Sequence, residues 1–145
     1  MCCAIFMNTS HSVRYFDAQF RRQVAAGENS LNPFEAAALP HLQGKVLDFG
    51  CGLGNLALMA ARRGCSVLAL DASPAAIQHL RQAAALEALP IRVAQADLAN
   101  YDLAEDFDAI VCIGLLMFST ATRRIANWLS CKLTCVRVDC SSSMS

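Results

Sequence analysis

Two periodicities divide the chain near residue 45. Ahead of it, Val13, Phe16, Phe20 and Val24 recur at the spacing of one helix face, and Gly27 stands where such a helix ends. Asn32, Pro33 and Glu35 then supply an N-cap, a first helical position and the third residue of a capping box, so a second, short helix is expected. From Lys45 on, short apolar runs alternate with helix-forming segments. Residues 46–49 read as a strand, 56–63 as a helix stopped by Gly64, and 66–70 as the next strand. Ser73 and Pro74 open an alanine-rich helix with Ile77, Leu80 and Ala84 on its apolar face, which must stop by Pro90. Residues 91–94 form a third strand and 107–113 a fourth. Beyond Phe118, one helix over 122–129 and one strand over 134–138 precede a serine-rich tail.

Strands alternating with such helices imply βαβ units, and near-continuous apolar strands such as 109–113 imply burial on both faces. The expected fold is therefore α/β: a Rossmann-like, doubly wound, mainly parallel sheet with helices on both faces. An all-α module does not fit these β-rich runs. The organisation expected within one domain is lead-in helices and lid over 1–44, a core over 45–118 and a tail over 119–145.

Composition narrows the class. With 145 residues, 55% hydrophobic and 17% charged, the chain has the length of one domain and too apolar a composition for general disorder. Twelve basic and twelve acidic residues give a formal net charge of zero, which argues against electrostatic capture of nucleic acid or of an anionic membrane. No apolar stretch approaches the roughly 18 residues of a membrane helix, and the start lacks the features of a signal peptide. Eight cysteines in 145 residues, about 5.5%, fall below the density of a disulfide scaffold, and no Cys-x-x-Cys pair occurs. A reducing cytoplasm is the expected setting. His11, His41 and His79 are scattered, and Cys131, Cys135 and Cys140 match no common zinc spacing, so no metal site is expected.

Candidate chemistry concentrates at Asp48-Phe49-Gly50-Cys51-Gly52-Leu53-Gly54-Asn55, a glycine-rich strand-to-helix turn. Glycines here let the backbone approach a ligand, and such a turn lies at the carboxyl ends of the strands, where open α/β sheets bind. A dinucleotide fingerprint counted from Gly50 needs glycine at 55, where the chain has Asn55. Asp48 would oppose a pyrophosphate, whereas it would attract an ammonium group. Asp71, about twenty residues past Gly50, ends the second strand at the offset where a carboxylate accepts hydrogen bonds from ribose hydroxyls.

The pattern Asp48-x-Gly50-x-Gly52-x-Gly54 resembles motif I of the class I S-adenosylmethionine-dependent methyltransferases, and the likeness runs from about Lys45 to Phe118. The resemblance implies S-adenosyl-L-methionine as cofactor, with S-adenosyl-L-homocysteine as product, and gives Asp48, Gly50, Cys51, Gly52 and Gly54 to its binding turn. It further implies that Asp71 holds both ribose hydroxyls, that Ala72 lines the adenine, and that Asp97 bonds the adenine amino group with the Leu98 amide nearby. Asp108 would be structural, and Cys112 would flank the methionine part of the cofactor as a packing thiol rather than a nucleophile. No catalytic residue is identified: alignment in a water-poor pocket carries the methyl transfer, and no obligatory general base is expected. The segment 115–118 resembles small-molecule methyltransferases of the tellurite-resistance type, so the expected partner is a small-molecule methyl acceptor. Tyr15, Phe16 and Phe20 fit either a lid over the cofactor or a helix face packed on the sheet.

The family's sheet has seven strands and a Pro-Gly-Gly-like turn before the fifth, and the chain shows neither in full. Truncation, or a frame change after Phe118, is the expectation that follows, with a sheet edge open to self-association. Two further functions stay open beside the enzyme: a non-catalytic cofactor-binding remnant or regulatory protein, and an NAD-dependent oxidoreductase.

Overall fold

A computed structural model describes residues 9–98 and 100–112, with side chains from Arg14 onward. The expected helix and strand over 122–138, the 113–118 segment and the three C-terminal cysteines lie outside the described residues, as does the end of the sheet that would carry the expected open edge.

The chain opens with helix α1 (Thr9–Ala26) and the short helix α2 (Pro33–Ala38), which runs into a 3-10 turn at Leu39–His41. Four parallel strands follow, β1 (Lys45–Phe49), β2 (Ser66–Asp71), β3 (Ile91–Gln95) and β4 (Ala109–Val111), with α3 (Asn55–Arg62) after β1 and α4 (Pro74–Leu86) after β2. The local signals act as expected. The Asn32 side chain accepts the Glu35 amide while the Glu35 carboxylate accepts the Asn32 amide, both at 2.9 Å, closing the capping box. Ser73 caps α4 by accepting the Ala76 amide at 3.2 Å. Helix α4 ends at Leu86, ahead of Pro90 as expected, and Ala88 just beyond it takes the left-handed conformation, with φ of 50°, where glycine is usual.

Strand order is β3-β2-β1-β4. The chain therefore winds outward from β1 through β2 to β3, then crosses back to place β4 on the other side of β1. That reversal puts the topological switch point at the carboxyl end of β1, where open α/β sheets form their ligand crevice. One face of the sheet packs Val46, Val67 and Val111 against Ala38, Leu56, Ile77 and Leu80 of the helices. The other packs Leu47, Phe49, Leu68, Leu70 and Ile110 against Leu98, Phe107 and the loop that joins β3 to β4. With both faces covered, the central strands are near-continuously apolar between their polar ends, with Asp48 the buried exception in β1.

Two sequence expectations need correction. The fourth strand begins at Ala109 rather than at 107, because Phe107 is a buried anchor and Asp108 turns its carboxylate to accept the Lys45 amide at 2.7 Å. Asp108 is thus structural, as the resemblance implied. Val24 is not on the packed face of α1 but 39% exposed, since the inward stripe shifts to Phe16, Gln19, Phe20 and Gln23.

Candidate active site

The turn after β1 is tied to the end of β2. Leu70 O accepts the amides of Gly50 and Cys51 at 2.8 and 2.9 Å, and the Asp71 carboxylate accepts the amides of Gly52 and Ser73 at 2.9 and 2.8 Å. Asp71 therefore spans the glycine turn and the start of α4. Desolvation raises its pKa above the ordinary carboxylate value, and the backbone amides act against that rise. Of the turn glycines, Gly54 serves helix packing: its φ is 78°, and a Cβ there would come within 2.5 Å of the Leu80 side chain. Gly52, with φ of 56°, lies under the Phe20 ring, which a Cβ would meet at 3.3 Å.

A cavity of about 460 Å³ opens beside this turn. Its floor is Asp48 with residues 50–56, and its walls come from Phe16, Gln19, Phe20 and Gln23 of α1, from the loop at 28–32, and from Glu35 of α2. Three of the lining residues are carboxylates, Glu28, Glu35 and Asp48, and none of the described lining residues is Lys, Arg or His. Asp48 is 5% exposed, and its Oδ2 is buried without a hydrogen-bond partner. Burial first, then repulsion from Glu35 and Asp71, pushes its pKa up to about 8. Cys51, also buried, is pushed well above the ordinary thiol value by desolvation and by Asp48 and Asp71, and its Sγ donates to Gly52 O, so it is no activated nucleophile.

The remaining sequence-derived positions sit apart from this cavity. Ala72 is half-buried, its carbonyl accepting from the Gln95 side chain at 3.3 Å, and Ala96 donates to Asp71 O at 3.0 Å, so the ends of β2 and β3 stay together. Asp97 is exposed and accepts from the Asn100 side chain at 2.6 Å, while Leu98 is buried in the core. Cys112 is half-buried against the Leu47 and Phe49 side of the sheet. The structure thus gathers Asp48, Gly50, Cys51, Gly52 and Gly54 on the cavity, links Asp71 to them through Gly52, and leaves Ala72, Asp97, Leu98 and Cys112 outside its lining.

Two residues that sequence reasoning did not assign to the site belong to its surroundings. Glu35 reads from sequence as a capping residue alone, yet it also lines the cavity. Asp17 of α1 accepts from Ser73 Oγ at 2.7 Å and from the Ala75 amide at 2.9 Å, anchoring α1 to the N-terminus of α4. These bonds, with that to Arg21, hold its pKa below the usual value. Nothing local in the sequence marked Asp17, because its partner Ser73 lies 56 positions away.

A family model described as a methyltransferase domain matches residues 46–136. A ubiquinone biosynthesis O-methyltransferase of Alkalilimnicola ehrlichii is 38% identical over 120 residues, 73% of this chain and 48% of that protein. A protein named hemagglutinin 1 from Eikenella corrodens is 40% identical over 79 residues, 54% of this chain and 26% of that one. The crystal structure of a TehB-like SAM-dependent methyltransferase from Corynebacterium glutamicum superposes with a TM-score of 0.59 at 29% identity, covering 83% of this chain and 66% of that one. The chain spans about half or less of the length of these two curated relatives. A buried, unpartnered carboxylate oxygen at a cavity with no cation among its described lining residues suits a ligand with a positive amino-acid end, and Asp71 beside the glycine turn suits a ribose. By sequence match, fold and the chemistry of this turn, the chain belongs to the methyltransferase-domain family, whose cofactor is S-adenosyl-L-methionine.

Proposed function

We propose that this protein is a methyltransferase acting on a small-molecule acceptor. The observation that carries the reading is the cavity at the switch point, bordered by Phe20 against Gly52 and lined by acids with no counter-cation among the described residues. When bound, S-adenosyl-L-methionine supplies a sulfonium methyl that an acceptor nucleophile takes by in-line displacement. Asp48 faces its ammonium, the turn at Gly50, Cys51, Gly52 and Gly54 shapes the floor, and Asp71 keeps lone pairs for the ribose beyond those taken by Gly52 and Ser73. Ala72, Asp97 and Leu98 are assigned to the adenine and Cys112 to the methionine side, on the strength of the family motif. Phe16 and Phe20 exclude water from the reacting end. Alignment and exclusion of water supply on the order of 7–11 kcal/mol in such sites, so no side chain is assigned as general base.

The relatives point to the acceptor panel: hydroxyl compounds first, on the name of the O-methyltransferase relative, then thiols, oxyanions and amines. Calorimetric titration with S-adenosyl-L-homocysteine and with NAD, on the wild type and Asp71→Ala, tests the cofactor. Tight S-adenosyl-L-homocysteine binding, weakened tenfold or more in the variant, is expected. Tight NAD binding with no adenosylhomocysteine signal would overturn the reading. Transfer of labelled methyl to members of the panel then tests the activity, and binding without transfer to any acceptor would sink it.

A further inference from the structure

Electrostatic imbalance in the cavity goes beyond what the glycine motif requires. Asp48 comes from β1 and Glu35 from α2, residues 13 positions apart in sequence that the fold brings to the lining of one cavity. Among the described residues, the groups that face Asp48 are acidic or neutral: Glu35 from α2, Asp71 from β2, the Cys51 thiol from the turn, and Phe16, Gln19, Phe20 and Gln23 from α1. Glu28 adds a further carboxylate to the wall. Asp48 Oδ2 is buried with no donor within reach, so it lacks the hydrogen bonds that would stabilise a lone anion there.

We infer that Glu35 and Asp48 act as a proton-holding carboxylate pair that receives the ammonium of the cofactor's amino-acid end, and that cofactor binding expels one proton to solvent. The inference rests on the cofactor reading above. In the empty site the proton stays on the pair, chiefly on Asp48, because a buried Asp48 anion would be poorly solvated and repelled by the half-buried Glu35 carboxylate. An entering ammonium replaces that proton as the compensating charge: the Asp48 O–H bond breaks, its electrons remain on the carboxylate, and the proton leaves to the buffer. Glu35 is a positioning residue here, since its Oε2 is held by the Asn32 amide at 2.9 Å and its place is set by the capping box. The order of events makes affinity for the cofactor pH-dependent at a site where no histidine takes part.

The test is calorimetry of the full chain with S-adenosyl-L-homocysteine, which carries the ammonium, and with 5′-methylthioadenosine, which has the nucleoside and thioether but no amino-acid end. Measurements at pH 7 in buffers of different ionisation heat count the protons. About one proton released per adenosylhomocysteine and none per methylthioadenosine is expected, with adenosylhomocysteine affinity rising up to about tenfold per pH unit below pH 7 and levelling above pH 8. Glu35→Gln keeps the capping box, because glutamine serves at that position, so the fold is retained. It should weaken adenosylhomocysteine about tenfold at pH 8, move the pH midpoint down, and leave methylthioadenosine within twofold. Asp48→Asn should abolish the proton release. Binding of adenosylhomocysteine with no proton exchanged, or a Glu35→Gln variant with unchanged affinity and midpoint, overturns the pair alone. Absence of binding by both nucleosides overturns the cofactor reading beneath it.

Discussion

Replacing Asp48 by asparagine should make the ligand-free protein less sensitive to alkali, and the structure sets how much. The unfolded chain titrates Asp48 at its ordinary value of 3.8, whereas the native site holds the proton to about 8. Its pKa is raised on folding, so between those values the native state binds the proton that the unfolded state has lost, and stability falls as pH rises. Below about pH 4 the group contributes nothing to the slope, and above about pH 8 the loss is complete. Each pH unit well inside the window removes about 1.4 kcal/mol, and because Asp48 begins to release its proton near 8, the loss between pH 6 and pH 8 is about 2 kcal/mol. Glu35 and Asp71 are raised in the same direction and are present in both proteins, so the comparison isolates Asp48. Asp17, Glu87 and Glu105 have lowered values, and their contributions are lost only on acidification through the carboxylate range. Urea denaturation followed by far-ultraviolet circular dichroism at pH 6, 7 and 8 measures the effect. With a slope of about 1–3 kcal/mol per molar urea, the wild-type midpoint should drop by roughly 1 M more than that of Asp48→Asn. Parallel loss of stability in the two proteins would show that Asp48 is already ionised in the native state and would refute the raised pKa.

Three further outcomes follow from the geometry. Gly54→Ala should lose about 2–4 kcal/mol, since its Cβ would lie 2.5 Å from Leu80 at a left-handed φ of 78°, and a thermal melt reads the drop. Leu80→Ala, which empties a fully buried position, should cost about 2–5 kcal/mol in the same assay. Asp17→Ala should cost about 1 kcal/mol of global stability, as for loss of a helix cap, and should speed proteolytic cleavage within α1 severalfold; unchanged cleavage would count against its anchoring role.

How much of this was legible in the sequence depends on how local each cause is. Asn32 with Glu35, and Ser73 with Pro74, act within one helical turn, so their caps could be placed from residue types alone. The Asp48 to Gly54 turn was likewise visible, because positive φ and close approach select glycine. Pro90 bounded α4 from the sequence, but its last residue, Leu86, was not marked, because Ala88 takes a glycine-like conformation without being glycine. Glu35 was half legible: a local role accounted for it fully, and nothing in its neighbours pointed to a cavity closed by β1. Asp17 was illegible, since its partner Ser73 lies 56 positions away and any inward acid on α1 would have read as a solvated one. The shift of the inward stripe from Val24 to Gln19 and Gln23 has the same origin. A helix wall that borders a polar cavity does not show the apolar periodicity of one that borders a core.

The bond from Asp17 to the start of α4 has a consequence for how the chain can be divided. By pattern, residue 45 looks like a seam between a lead-in and a core, and a protein engineer would cut or graft there. Yet one oxygen of Asp17 supplies acceptors to both Ser73 Oγ and the Ala75 amide, and Ser73 in turn donates its own amide to Asp71. Amputating the lead-in would therefore strip the cap's support from a helix that starts far downstream, and loosen the very carboxylate assigned to the ribose. The first helix is better regarded as a keystone set into the sheet's ligand edge than as a detachable cover.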